Sequence, residues 1–542
     1  MLNDLLTPAS SGKLQNVICD IQGGLRTAVF GVPFSQKSRI ISLINGKVIF
    51  IVKSVTEAKN YVEEISALTD KKVVFLPSKD DVLLYKQAYD KQSLYNRITA
   101  VYDILNGAEI TVTTFEALLQ LFPRKVDSFT IENGAEYDVY NVINKLISLG
   151  YKRVDYCESK ASFSLRGDIL EVFPINSNDV YRVDFFGDTV ESIRVFGDSV
   201  ELPNITVISA TDTVITDADV EEITKTVKDC YRKHQGLSSA KKASALYTKI
   251  LDALNTDLQS DELTYVAPII SSTTHDITKI FGNDFTVVYD ESKMLDDNLN
   301  GLFKEHIDRA ITLVKSGDGF DFCVEQYAKK DYLLSLLNSS KVAAVQTLTA
   351  LVPFFSPQKT YSLNATAVSR YALNIEDLFY DAKSWLVTGY KVVLCAGDTG
   401  RANTLVNQLN TKGVKSKVNA EANYNGVNVT SKSLPIGFIS HDEKLVVLGV
   451  NDLFVKQKSR EKSLKKKRND LYSAPQVGDF AVHEVFGIGL IKGVKRISST
   501  EGTKDYVELE YAGGDRLFVS TDQMDKLSKY LGGNEVPTLN KI

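Results

Sequence analysis

Between residues 164 and 196, apolar side chains recur at every second position in short runs broken by turn residues, the signature of a compact antiparallel sheet. Ile169, Glu171 and Phe173 alternate with Leu170 and Val172, and Pro174, Asn176, Ser177 and Asn178 supply turn chemistry. Tyr181, Val183 and Phe185 then alternate with Arg182, Asp184 and Phe186. Gly187-Asp188 reads as a tight turn, after which residues 190–196 return. Such a meander packs one face on a core and turns the other to solvent. Arg166, Arg182 and Phe186 are therefore candidates for a protein interface, where arginine and aromatic side chains are enriched. A solvated face without a partner fits the same pattern.

The block LRGDILEVFP…YRVDFFGDTVESIRVF resembles the module shared by the excision-repair protein UvrB and the bacterial transcription-repair coupling factors. That resemblance implies docking on UvrA, and it carries the family's two arginines and aromatic onto Arg166, Arg182 and Phe186. Residues 477–533 resemble the RNA-polymerase interacting domain of the coupling factors, also found in CarD-type transcription regulators and lacking in UvrB. Read from pattern alone, this block is a small, strongly bent barrel, and the resemblance implies one of the SH3/Tudor kind. Its short strands, 479–483, 487–494, 505–511 and 516–520, are separated by Gly487, Gly489 and Gly513-Gly514-Asp515. Within 505–511, Tyr506, Glu508 and Glu510 share one face and Val507, Leu509 and Tyr511 the other. An open strand of this kind can add to a partner's sheet, and an internal barrel strand reads the same way. The resemblance implies the former, a strand added to the polymerase β subunit through Tyr506, Val507, Glu508, Leu509 and Glu510.

Near the N-terminus, the strand-like residues 27–30 run into Gly31-Val32-Pro33-Phe34-Ser35-Gln36-Lys37-Ser38 and then a helix-like stretch, the setting of a phosphate-binding loop. Gly31, Lys37 and Ser38 stand in place. The loop departs from a working one because Gln36 replaces the glycine before the lysine and Pro33 removes a backbone N–H. Residues 285–289 form an apolar strand ending in Asp290 and Glu291, a pair able to hold magnesium and equally able to end a strand as turn formers. Gly31, Lys37, Ser38, Asp290 and Glu291 thus read as a degenerate, inactive nucleotide site, and no catalytic residue is assigned. A nucleotide hydrolase using Lys37, Asp290 and Glu291 is the alternative, and a CarD-like transcription regulator acting through the barrel is another.

The organisation expected is multi-domain α/β with a small β-barrel. Residues 1–120 alternate strand and helix, 121–204 form the inserted β domain, and 205–335 return to helix and strand, including strands at 265–270 and 285–289, to complete the first sheet. A second α/β unit without an assigned role spans 340–455, a basic linker 456–474, and the barrel 475–535. Residues 456–468 hold eight basic residues and one acid. They read as a solvated tether, with contact to DNA phosphates as the other reading.

Length and charge fit this plan: 542 residues, 44% apolar and a formal charge of −5 allow several cores and exclude a generic polyanion binder. Five scattered cysteines without a CxxC pair suit a reducing cytoplasm. The five histidines lack metal-ligand spacing, so no metal is expected. No leader-like or membrane-spanning run is read, and the absence of heptads suggests a monomer. The resemblance further implies that this chain is the N-terminal part of a longer protein. The DNA translocase of that protein, using ATP and magnesium on duplex DNA, would lie beyond residue 542, leaving this part without cofactors of its own.

Overall fold

The computed structural model describes residues 5–8, 12–79, 91–258, 260–372, 374–421 and 424–454, and within the C-terminal unit 478, 480–483, 487–499, 502–512, 515–520 and 527–529. The chain divides into two units, Met1–Val455 and Lys456–Ile542.

The first unit is organised around a seven-stranded sheet in the order Lys359–Ser362, Thr27–Phe30, Lys341–Val345, Phe285–Asp290, Lys47–Val52, Ile110–Thr114 and Val73–Leu76. Every pairing in it is parallel. A parallel sheet must be covered on both faces, which explains the near-continuous apolar strands Lys47–Val52 and Phe285–Asp290. Successive side chains feed two cores: Ile49, Ile51, Val287 and Tyr289 on one side, Val48, Phe50, Val52 and Val288 on the other. The covering helix Val55–Leu68 starts at Ser54, whose side chain accepts from the Glu57 N–H.

Everything between Ile110–Thr114 and Phe285–Asp290 is an excursion from this sheet. Its first part is a five-stranded sheet in the order Thr189–Val195, Tyr181–Phe186, Ile169–Phe173, Ser162–Arg166 and Lys152–Arg153. Phe163, Leu170, Val172, Val183, Phe185 and Ile193 pack with Val142, Ile143 and Leu146 of the helix Val139–Ser148. Two of its hairpins close through the two-residue loops Gly167-Asp168 and Gly187-Asp188. The leading glycines take φ of 60° and 61°, which a tight hairpin twisting with its strands requires. The second part is helical, with Asp217–His234 and Ala240–Thr256 packed on a 3-10 segment, Asp261–Ile269. The strand expected at 265–270 is replaced by that 3-10 turn, which contains Pro268.

The first sheet also takes in Lys341–Val345 and Lys359–Ser362, so the second α/β unit starts near residue 365 rather than 340. That unit is a six-stranded mixed sheet in the order Ala365–Ala367, Phe438–Ser440, Leu445–Leu448, Lys391–Cys395, Val427–Thr430 and Ser416–Val418. The helices Ile375–Val387 and Thr399–Thr411 cover one of its faces. Trp385 is partly buried against that core and meets the Tyr371 ring edge-on.

The C-terminal unit is a five-stranded antiparallel sheet in the order Arg516–Ser520, Gly502–Glu510, Gly487–Ser499, Phe480–His483 and Leu527–Lys529. Ala481, Ile491, Val507, Leu509 and Tyr511 form its core.

Candidate functional site

Three places were singled out by the sequence. In the inserted sheet, Ser164, Glu171, Arg182 and Arg194 lie opposite one another across four strands, and Arg166, Ile169, Asp184 and Ser192 form the adjoining row. Their neighbours Leu170, Val172, Val183 and Ile193 point into the core, so both rows stand on the opposite, outward face, where Ser164, Glu171 and Ser192 are themselves buried beneath the longer side chains. Each arginine is steered by a carboxylate. Arg166 Nη2 donates to Glu171 Oε2 at 2.7 Å and its guanidinium lies 4.9 Å from the exposed Tyr156 ring. Arg182 Nε donates to Asp184 Oδ1 at 2.8 Å, while Asp184 Oδ2 accepts from Ser192 at 2.9 Å and lies 3.6 Å from Arg194 Nη2. Partial burial works against the Asp184 carboxylate, but the hydrogen bonds from Arg182 and Ser192 and the charges of Arg182 and Arg194 hold its pKa below the usual range.

Phe186 ends its strand with 79% of its surface exposed. The structure thus brings Arg166, Arg182 and Phe186 onto one outward face. Glu171, Asp184, Arg194 and Tyr156 join them there; Glu171, Asp184 and Arg194 carry a sequence signal, as alternate residues of their strands, and Tyr156 carries none. The arrangement is a charged, pre-ordered surface with a protruding aromatic at one end, and arginine and aromatic side chains of this kind are enriched at protein interfaces.

The phosphate-loop-like segment is closed by its own neighbours. The helix begins at Phe34, earlier than residue 39, because Pro33 stands at its N-cap. Gly31 takes φ +74°, and a Cβ there would lie 2.1 Å from the Leu363 carbonyl oxygen. The Val32 N–H is spent on the Gln346 carbonyl at 3.1 Å and the Lys37 N–H on the Pro33 carbonyl at 3.0 Å. Pro33 has none to give, so three of the amides that would line such a loop are spent or missing.

Lys37, 3% exposed, donates to Asp290 Oδ1 and to Glu291 Oε1, both at 2.6 Å. Glu291 reaches it from a left-handed backbone, φ 46°, and also accepts from the Thr347 N–H at 2.7 Å. Tyr61 donates to Asp290 Oδ2 at 2.9 Å. Burial pushes the Asp290 carboxyl up despite Lys37; burial also opposes the Glu291 charge, but hydrogen bonds from Lys37 and Thr347 hold that carboxyl below its ordinary range. Ser38 Oγ donates to Glu64 Oε2 at 3.1 Å, and burial raises the Glu64 pKa to about 7. Gly31, Lys37, Ser38, Asp290 and Glu291 do meet, at the carboxyl ends of the strands, but the lysine already has both carboxylates where phosphate oxygens and magnesium would have to go. Tyr61 and Thr347 were unreadable from sequence, being distant in the chain and carrying no motif.

In the C-terminal unit, Gly502–Glu510 is paired on both sides, with Gly487–Ser499 and with Arg516–Ser520. This corrects the expectation of an open strand through Tyr506, Val507, Glu508, Leu509 and Glu510: their backbone groups are committed within the sheet. Val507 and Leu509 are core, Glu508 is buried and paired with Arg516 at 2.8 Å, and Glu510 pairs with Lys492 at 2.6 Å. The strand ending the sheet order beside them is Arg516–Ser520. The basic run 456–468 lies outside the described residues.

Residues 129–211 match the UvrB interaction domain and residues 476–531 the CarD-like/TRCF RID domain. A transcription-repair-coupling factor of Staphylococcus haemolyticus is 26% identical over 81% of this chain and 38% of its own length. Those of Staphylococcus epidermidis and Staphylococcus aureus are 26% and 25% identical over 77% and 76% of this chain and 37% and 36% of theirs. The chain therefore spans less than two-fifths of the length of these relatives. It is homologous to them and carries both domains. A solved XPD helicase aligns at 10% identity with a TM-score of 0.22, over 77% of this chain and 78% of that one, and carries no argument.

Proposed function

We propose that this chain recruits repair to transcription: its inserted sheet docks UvrA and its C-terminal unit grips the β subunit of RNA polymerase. The observation that carries the first half is the shared outward face of Arg166, Arg182 and Phe186, within the segment that matches the UvrB interaction domain. The arginines are held in place before a partner arrives, which lowers the entropy cost of docking. For the second half, the backbone edge offered to a polymerase strand is Arg516–Ser520, since Gly502–Glu510 has both its edges taken.

The chain acts as an adaptor, without ATP turnover of its own, because Lys37 is bound to Asp290 and Glu291. ATP- and magnesium-driven movement on duplex DNA belongs to the portion of the relatives that this chain does not align with, and the basic run 456–468 is a tether between the two halves, with contact to DNA phosphates as the other reading. It works as a cytoplasmic monomer. Among the described residues no helix is long and apolar enough to cross a membrane.

The test is UvrA capture by wild type, Arg182→Ala and Phe186→Ala. Each substitution should weaken capture roughly 30-fold, the equivalent of about 2 kcal/mol for an interface anchor, with polymerase binding unchanged. Capture indifferent to both substitutions, or steady phosphate release from ATP and magnesium, overturns the reading.

A further inference from the structure

The second α/β sheet has an exposed-face problem that its own helices do not solve. Val392, Leu394, Val446 and Leu448 face the helices Ile375–Val387 and Thr399–Thr411, but the alternate residues Val393, Cys395, Leu445 and Val447 face the other way. Strands buried on one side only would leave this apolar surface in water. What covers it comes from elsewhere in the chain: Leu5 and Leu6, a short N-terminal strap, together with Leu68 from the end of the helix Val55–Leu68.

The strap is pinned by its backbone. Lys391 Nζ donates to the Leu5 carbonyl at 2.7 Å. Arg39 donates to the Leu6 carbonyl through both Nε, at 2.9 Å, and Nη2, at 2.5 Å. The same guanidinium grips Glu443 in two-point fashion, Nη1 to Oε2 at 2.6 Å and Nη2 to Oε1 at 3.0 Å, and lies 5.6 Å from the Phe438 ring. Ser440 Oγ steadies the carboxylate at 2.9 Å. Arg39 is 1% exposed, so this fork works where water does not compete.

One side chain therefore touches three bodies: the loop helix Phe34–Leu43 that carries it, the strap, and the turn that joins Phe438–Ser440 to Leu445–Leu448. It follows directly after Lys37 and Ser38, which face the first sheet and Glu64. We propose that Arg39 and the Leu5–Leu6 strap form a bolt that clamps the second α/β sheet onto the first, so that drawing it lets residues 365–454 open as a separate body. The helix that would respond to a nucleotide in a working phosphate loop here serves as the anchor of that bolt.

Hydrogen exchange on the whole chain, comparing wild type with Arg39→Gln and Leu6→Ser, tests this. Both variants should speed exchange of amides in 393–395 and 445–447 by about tenfold or more, while 47–52 and 285–290 stay within about twofold of wild type. Leu6→Ser removes no charge, so its result does not depend on leaving Glu443 unpaired. Equal acceleration in both sheets, or none in either, in both variants overturns the proposal, since the two sheets would then open as one cooperative body whether or not the bolt is in place.

Discussion

Lys37 and Arg182 are both cations held within 2.8 Å of carboxylates, yet one lies in a closed site and the other on an open surface. Around Lys37, the carboxylates come from a strand end and the first residue beyond it, in a place closed by Leu363, Gln346 and Tyr61. Around Arg182 the single carboxylate, Asp184, comes from the same strand, on a face that looks outward, and the side chain keeps 42% of its exposure. Pairing inside the fold exhausts a charge. Pairing on its surface aims it, because the remaining guanidinium N–H groups still face solvent. Burial, rather than the presence of a partner, separates the two outcomes.

The largest effect should come from breaking the buried pair. Lys37→Met leaves Asp290 and Glu291 without their cation and should cost about 3–5 kcal/mol of stability, read by urea unfolding. A loss below about 1 kcal/mol would mean that the site admits water and is less closed than its geometry indicates.

On the surface side, Phe186→Ala should leave the unfolding midpoint in place, since the ring is exposed, while UvrA affinity measured by calorimetry falls by about 2 kcal/mol. An equal loss in both quantities would make Phe186 a structural residue.

Glu64 gives the buried region a pH signature. Its folded pKa, near 7, lies above that of the unfolded chain, so the folded state holds the proton more tightly. Its stabilising contribution is complete below the ordinary carboxyl range and is lost as pH rises through about 7, amounting to roughly 2 kcal/mol between pH 5 and 7.5. Thermal unfolding at a series of pH values should show this slope in wild type and lose it in Glu64→Gln.

The smallest effect sharpens the contrast with Lys37. Arg182→Ala should change stability by less than about 1 kcal/mol, because its pair is exposed to solvent, even as UvrA capture fails.

Much of this was legible because short-range pattern and burial agree. The alternation through Tyr181–Phe186 placed Arg182 and Phe186 outward and Val183 and Phe185 inward, and the strand, loop and helix around Gly31 gave the closed site its members. Long-range pairing carried no such signal. Residues 505–511 fitted an edge strand and an internal one alike, because alternation records which way side chains point, not how many strands lie alongside, and the resemblance pointed to the edge. The boundary near 340 was placed too early since Lys341–Val345 and Lys359–Ser362 look like any α/β strands, and only their pairing with Thr27–Phe30 assigns them to the first sheet. Arg39 and Glu443 are 404 positions apart, beyond any periodicity.

The excursion that carries the five-stranded inserted sheet leaves the seven-stranded sheet at Ile110–Thr114 and rejoins it at Phe285–Asp290, with Lys47–Val52 lying between those two strands. A module hung from one end would swivel on its hinge. Welded at two points, at opposite ends of parallel strands, it behaves as a handle: a pull exerted by a bound partner is delivered straight into the central strands, and a twist of those strands is felt at the grip.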